Sequence, residues 1–192
     1  MFDVFEQPWT LVGAAVLLLF GMLTFRSIFP DKRRWWQLML PVLTVVVAFG
    51  LDLLVQADRE KIKAVIDAGI RAVEEENCTA IAQIISEDYS DSYHGTKKDL
   101  IHHCRLKLTP PLVAKNKKTG LLIDVSPPNA TAILTVVIHF DRQSYIYKEY
   151  LRPLMITKTE LHLHKQPDKR WLINRVELLE IDRQPADWQD IK

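Results

Sequence analysis

The chain has 192 residues, 25 of them basic and 24 acidic, a formal charge of +1, and two cysteines. Such a length holds one globular domain with attachments. The balanced charge lacks the basic excess that neutralising phosphates requires, so no nucleic acid is expected as a partner. Two cysteines are too few for a disulfide scaffold.

Charge is unevenly spread. Eight charged residues precede Asp58, and the other 41 run from Asp58 onward. Gln7 to Phe25 carries none. With Arg26 snorkelling, a first membrane span is expected over about 7–29. Trp9 sits where an interfacial aromatic would. A short basic connection follows (Lys32, Arg33, Arg34). A second apolar run over about 35–56 begins at Trp35 and Trp36 and holds one acid, Asp52, near its far end. Pro41 falls in the first turns, where a missing N–H costs little. Residues 1–57 therefore predict a two-helix hairpin in the lipid bilayer. Asp3 and Glu6, with no Lys or Arg beside them, do not make the basic start of a signal peptide. The bias of Lys and Arg places the connection in the cytoplasm. The N-terminus and the domain at 58–192 then lie on the extracytoplasmic side of a cytoplasmic (inner) membrane. In a bacterium this is a periplasmic domain.

The domain opens with a helical pattern over 58–77: Ile62, Val65, Ile66, Gly69, Ile70 and Val73 share one face. Thr79 starts a shorter helix (TAIAQIISEDY), and a polar turn follows, ended by Gly95. Thr96 and Asp99 form a capping-box-like start for a third helix through Leu100, Ile101, Cys104 and Leu108. Thr109-Pro110-Pro111 stops it. Lys115, Lys117 and Lys118 read as a solvated hairpin tip before a Thr-Gly turn.

The period then becomes two. Leu121, Ile123 and Val125 alternate with Leu122, Asp124 and Ser126. Ala130, Ala132, Leu134, Val136, Ile138 and Phe140 form one apolar face of a long strand. Tyr145 to Leu151, Met155 to Lys165 and Trp171 to Ile181 read as further strands. Helices ahead of a strand meander predict an α+β fold.

The stretches Ile62 to Val73, Ala80 to Gly95 (AIAQIISEDYSDSYHG), Leu121 to Phe140 and Trp171 to Val176 (WLINRV) resemble the nuclear transport factor two-like superfamily, the cystatin-like cone. The resemblance covers about 59–182 and is one of pattern rather than of an invariant motif. It implies three helices packed on a curved, mainly antiparallel sheet, with a pocket at the open end. Tyr89, Tyr93, Leu134, Val136 and Ile138 are the expected pocket residues. The superfamily includes ketosteroid isomerase-like and polyketide cyclase-like enzymes, non-enzymatic binding modules and membrane-tethered assembly components.

A catalytic cone needs ionisable groups inside its pocket, where burial shifts a pKa toward the working pH. The candidates lie at 88–104 (Asp88, Tyr89, Asp91, Tyr93, His94, His102, His103 and Cys104), with Asp88, Tyr89, Tyr93 and His103 singled out. Against them, Asp88 and Asp91 read equally as loop-capping residues and Tyr89 as a core plug. His102, His103 and Cys104 are adjacent on a helix and point apart, so they do not converge on a metal. His162 and His164 share a strand face with Glu160, as a solvated surface does. No metal and no cofactor is expected. Cys78 and Cys104 can pair if the domain faces an oxidising space, or stand as two buried thiols.

No phosphate-binding glycine loop, Gly-x-Ser-x-Gly elbow, paired CxxC or H-E-x-x-H motif is present. The leading expectation is a membrane-anchored extracytoplasmic module that binds a small apolar ligand or a protein partner and is not catalytic. Self-association through the sheet, around Ile133, Val137 and Ile173, is a further expectation. The alternative is a ketosteroid isomerase or polyketide cyclase-like pocket enzyme using Asp, His or Tyr from 88–103.

Overall fold

The computed structural model describes residues 39–190, together with the helical positions Gly13, Leu17, Phe20, Gly21 and Thr24. Between 39 and 54 only the side chain of Leu43 is described. Two compact units divide the chain, residues 1–58 and 59–192. The expected first span, the basic connection and the Trp35–Trp36 start of the second span lie outside the described residues, those five positions aside. Among the described residues no helix is long and apolar enough to cross a membrane.

Helix α1 spans Met39–Glu74. Its stripe at helical spacing buries Ile62 and Ile66, which are 0 % and 2 % exposed, and Ala72 is buried on another face at 2 %. Asn77 caps α2 (Cys78–Ile84), its Oδ1 accepting from the Thr79 and Ala80 N–H groups at 3.1 and 3.0 Å. This helix is shorter than the pattern from Thr79 suggests. Ile85 turns extended and bridges Ile173, and Ser86 N–H donates to the Ile173 carbonyl at 2.8 Å. Thr96 caps α3 (Lys97–Lys107), accepting from Asp99 N–H at 3.3 Å.

Five antiparallel strands then form one sheet in chain order: β1 (Val113–Ser126), β2 (Asn129–Phe140), β3 (Leu154–Lys165), β4 (Trp171–Ile181) and β5 (Gln184–Pro185). Bulges interrupt the β1–β2 register at Val113/Lys115 and Lys118/Gly120, and the β3–β4 register at Lys158/Thr159 and His162/Leu163. Each bulge bends its strand and raises the local twist, which curves the sheet. Alternation along β2 turns Ala130, Ala132, Leu134, Val136 and Phe140 inward. Of these, Ala130, Ala132, Leu134 and Val136 join Ile62 and Ile66 of α1 and Leu161, Leu163, Trp171 and Ile173 of β3 and β4 in one core.

Three sequence expectations change here. Lys115, Lys117 and Lys118 are not a hairpin tip but lie within β1, because Thr119-Gly120 makes a bulge rather than a turn. Lys118 pairs with Asp67 of α1. Tyr145 to Leu151 is not a strand: Tyr145–Tyr150 is a short helix, α4. Ser144 decides this, its buried hydroxyl accepting from Tyr147 N–H at 3.1 Å and donating to the Asp141 carbonyl at 2.7 Å. Leu151 ends the helix in the left-handed region, at φ 51°. Ile173 does not belong to an outer patch. Its register opposite Leu163 turns it into the core, at 4 % exposure, whereas Ile133 and Val137 stay half-buried.

The free edge of β1 is covered in part by acids from the end of α1. Glu76 Oε1 accepts from the Leu112 and Val113 N–H groups at 2.5 and 2.7 Å. Glu74 Oε2 accepts from Asn116 N–H at 2.7 Å. Unpaired strand edges invite pairing with other chains, and these carboxylates occupy the donors.

Candidate functional site

Between the helices and the concave sheet face lies a cavity of about 330 Å³, within the range of small-molecule sites. Its wall is almost wholly aliphatic, with Ile66 and Ile70 from α1, Ile81 and Ile84 from α2, and Leu134 and Val136 from β2. Gly69 lets the helices close: a Cβ there would stand 3.0 Å from Ile84 Cδ1. Few polar groups reach the wall. They are His103 and Lys107 of α3, Asn116 of β1, and Thr157 and Thr159 of β3.

Helix α3 places its share by spacing. Leu100, His103, Cys104 and Lys107 fall three and four residues apart and turn one face to the cavity. Cys104 is bonded to Cys78 across a sequence separation of 26 residues, so α2 and α3 are stapled beside His103.

Behind His103 runs a file of hydrogen-bonded groups. His94 Nε2 and His103 Nδ1 lie 2.7 Å apart, and His94 Nδ1 lies 2.8 Å from Asp91 Oδ2. Tyr89 Oη donates to the same carboxylate oxygen. The side chains of Asp91 and His94 are 0 % and 3 % exposed. Asp91 is fixed by a turn of its own making, its Oδ1 accepting from the Tyr93 and His94 N–H groups at 2.8 and 2.5 Å. The loop is laced to β4: Ser90 N–H donates to the Asn174 carbonyl at 3.0 Å, and Ser92 donates to Glu177 through its N–H and hydroxyl. Trp188, in a 3-10 turn at Trp188–Asp190, stands edge-on to His94 with ring centres 5.2 Å apart and also lines the cavity. Its Nε1–H donates to the Val176 carbonyl at 2.9 Å.

The charges follow from these partners. Burial alone would raise the Asp91 carboxyl, but the His94 N–H, the Tyr89 hydroxyl, the His94 ring and the Tyr93 N–H outweigh it and hold it below its ordinary value. Burial, then the bonded and negative Asp91, push the Tyr89 hydroxyl far up, so it stays a donor. Burial first, and His94 and Lys107 next, hold His103 below an ordinary histidine. Asp91 is therefore a carboxylate and receives the His94 Nδ1–H. With the His94 ring neutral, its Nε2 is the acceptor and receives the His103 Nδ1–H. His103 Nε2 is left as a lone pair with no hydrogen bond among the described residues.

Of the residues singled out from sequence, Leu134, Val136, Ile138 and His103 are in the cavity wall. Tyr89 is 2 % exposed and belongs to the core cluster. Tyr93 is 54 % exposed, its ring packed on the outer side of His94 and His103 at 4.9 and 5.7 Å. Asp88 is exposed in a separate polar groove and accepts from the Ser86 hydroxyl. His162 faces Glu160 at 3.3 Å and His164 meets Asn129 at 2.9 Å. No group of three His, Cys, Asp or Glu residues that could hold a metal occurs among the described residues. Sequence reasoning missed Lys107 and Trp188, and although it named His94 it missed the pairing of that ring with Asp91 and His103. The signals for the pairing and for Lys107 were Asp91-x-x-His94, which suits an Asx turn, and the 100/103/104/107 stripe on α3.

No family model and no curated relative matches the chain. Solved structures do. A nuclear transport factor 2-like superfamily protein from Salmonella enterica covers 68 % of this chain and 93 % of its own, at 12 % identity and a TM-score of 0.53. A nuclear transport factor 2-like protein with a cystatin-like fold from Novosphingobium aromaticivorans covers 69 % and 87 %, at 15 % identity and 0.52. A Mycobacterium tuberculosis protein of unknown function covers 67 % and 78 %, at 18 % identity and 0.52. At such identities the likeness is one of fold: the domain is an α+β cone of the nuclear transport factor 2-like, cystatin-like kind.

Proposed function

We propose that the domain is a binding module for a small, mainly apolar molecule, held at the extracytoplasmic face of a membrane by the N-terminal hairpin. The aliphatic cavity of about 330 Å³, lined by few polar groups, carries this reading. Burying apolar surface at about 25 cal/mol per Å² supplies the affinity, and the few polar groups orient the ligand. The Cys78–Cys104 bond supports the extracytoplasmic side, since disulfides persist in oxidising spaces. The isomerase or cyclase-like alternative is less favoured. Among Asp88, Tyr89, Tyr93 and His103 only His103 stands in the cavity wall, so a separate acid or oxyanion donor from that set is missing.

Calorimetric titration of the purified full chain with a small neutral aromatic tests the binding reading. Saturable one-site binding is expected. Ile138→Trp, which fills the cavity from a half-buried position, should abolish it while the melting temperature stays near wild type. Undiminished binding in this variant would refute the cavity as the site.

A further inference from the structure

We propose that the cavity selects a ligand carrying a weakly acidic hydroxyl, a phenol or an enol, and takes up its proton through the His103–His94–Asp91 file. This rests on the binding reading above and names the chemistry of its ligand.

Two observations carry it. The first is the direction of the file. The Asp91 carboxylate can only accept, so with both imidazoles neutral each hydrogen bond of the file runs toward it and His103 Nε2 keeps a lone pair for a ligand donor. A carboxylate offers only lone pairs and meets His103 Nε2 with repulsion. A hydroxyl donates. The second is Lys107, one turn beyond His103 in the same wall. Its ammonium can donate to a neutral hydroxyl, but it stabilises an oxyanion far more. A phenol or enol answers both groups, because it donates a proton and becomes an anion in doing so.

The transfer balances within the site. The ligand O–H bond breaks and a His103 Nε2–H bond forms. His103 gives its Nδ1 proton to His94 Nε2 across 2.7 Å and returns to a neutral ring. His94 becomes a cation 2.8 Å from the Asp91 carboxylate, in a place where both side chains are out of water. The new negative charge stays on the ligand oxygen beside Lys107, and the new positive charge lies beside Asp91. The other groups facing the file are the Tyr89 hydroxyl on Asp91 and the rings of Tyr93 and Trp188 on the histidines. His102 follows on α3. Arg175 and Glu177 of β4 add their charges, Arg175 acting on Asp91 and Glu177 on Tyr89. Burial, with His94 and Lys107 beside it, favours the uncharged His103 ring and keeps its lone pair available.

The test uses a nitrophenol, whose neutral and ionised forms differ in visible absorption, with the matched nitroanisole and nitrobenzoate as controls. Each is titrated into the full chain at a pH below the solution pKa of the phenol. The expected result is bound nitrophenol with the spectrum of its anion, held at least about tenfold more tightly than nitroanisole, and nitrobenzoate weakest of the three. His103→Phe should bring nitrophenol affinity down to that of nitroanisole and return the bound spectrum to the neutral form. His94→Phe should keep part of the affinity but lose the anion spectrum. If nitroanisole and nitrophenol bind wild type equally, with no anion spectrum, the proton-accepting file is refuted and the apolar cavity stands. If nitrobenzoate binds most tightly, the selection for a hydroxyl is refuted. If none of the three binds, both readings fall. The wild-type spectrum decides even where a variant does not fold.

Discussion

Asp91 shows how one side chain can organise a site from a distance. Its two carboxylate oxygens collect a tyrosine hydroxyl, a histidine ring and two backbone N–H groups, yet it does not itself line the cavity. A pH dependence follows from it and from His103. Because the folded His103 has a pKa below 6.5, the unfolded chain takes up its proton first as pH falls, and stability declines from about that pH downward. Asp91 is held below 3.8, so its contribution is complete above that value and is lost as pH falls through the lower, folded value. Urea midpoints measured across this range should show both declines. Asp91→Asn should remove the acidic one and lower the midpoint at neutral pH, where Asn cannot serve as the anionic end of the file. An unchanged pH profile in Asp91→Asn would refute the assignment. In the sequence, Asp91 was weighed as a loop-capping residue and His103 as one of two adjacent helical histidines. Both descriptions hold. What single-residue reasoning lacked was their meeting through His94, which depends on the loop folding back onto α3.

At the scale of elements, strong local signals outlasted weak ones. Thr96 with Asp99 started α3 where the capping pattern placed it, because the cap satisfies backbone donors whatever the tertiary context. The stretch Tyr145 to Tyr150 went the other way. Its aromatic and β-branched residues suggested a strand, but the Ser144 cap and the absence of any buried residue in α4 left no sheet for it to join. The Cys78–Cys104 bond could not be decided from spacing, since pairing requires that α2 and α3 be neighbours. Its contribution can be measured. A cross-link closing a loop of this length stabilises by about 3 kcal/mol. Reduction of the full chain, or Cys78→Ala with Cys104→Ala, should lower the melting temperature of the domain by on the order of 10 °C. It should also weaken ligand binding, because the α3 face that carries His103 loses its staple. Equal calorimetric transitions with and without reductant would contradict this.

For the whole molecule, the α+β class and the strand meander were legible because period-two patterns in β2, β3 and β4 were long and clean. The start of β1 was not, since its alternation is broken by charged residues and bulges. The membrane hairpin is argued from apolar length and basic bias alone, and its test belongs at this scale. A reporter active only in the periplasm, fused after Lys192, should be active in a bacterial host. Activity only of a cytoplasmic reporter at the same position would invert the topology and remove the oxidising setting invoked for the disulfide.

The chain order of the sheet bears on how the domain is made. Each strand pairs with the one synthesised just before it, so the four long strands can zip together with short loop closures as they are completed. Helix α1 has no such neighbour. Its stripe at Ile62 and Ile66 packs in a core that includes Trp171 and Ile173, which leave the ribosome about a hundred residues later. Until then Ile85, Tyr89 and the inward face of β2 give its stripe only partial cover, so α1 is a segment on which a chaperone would find its grip.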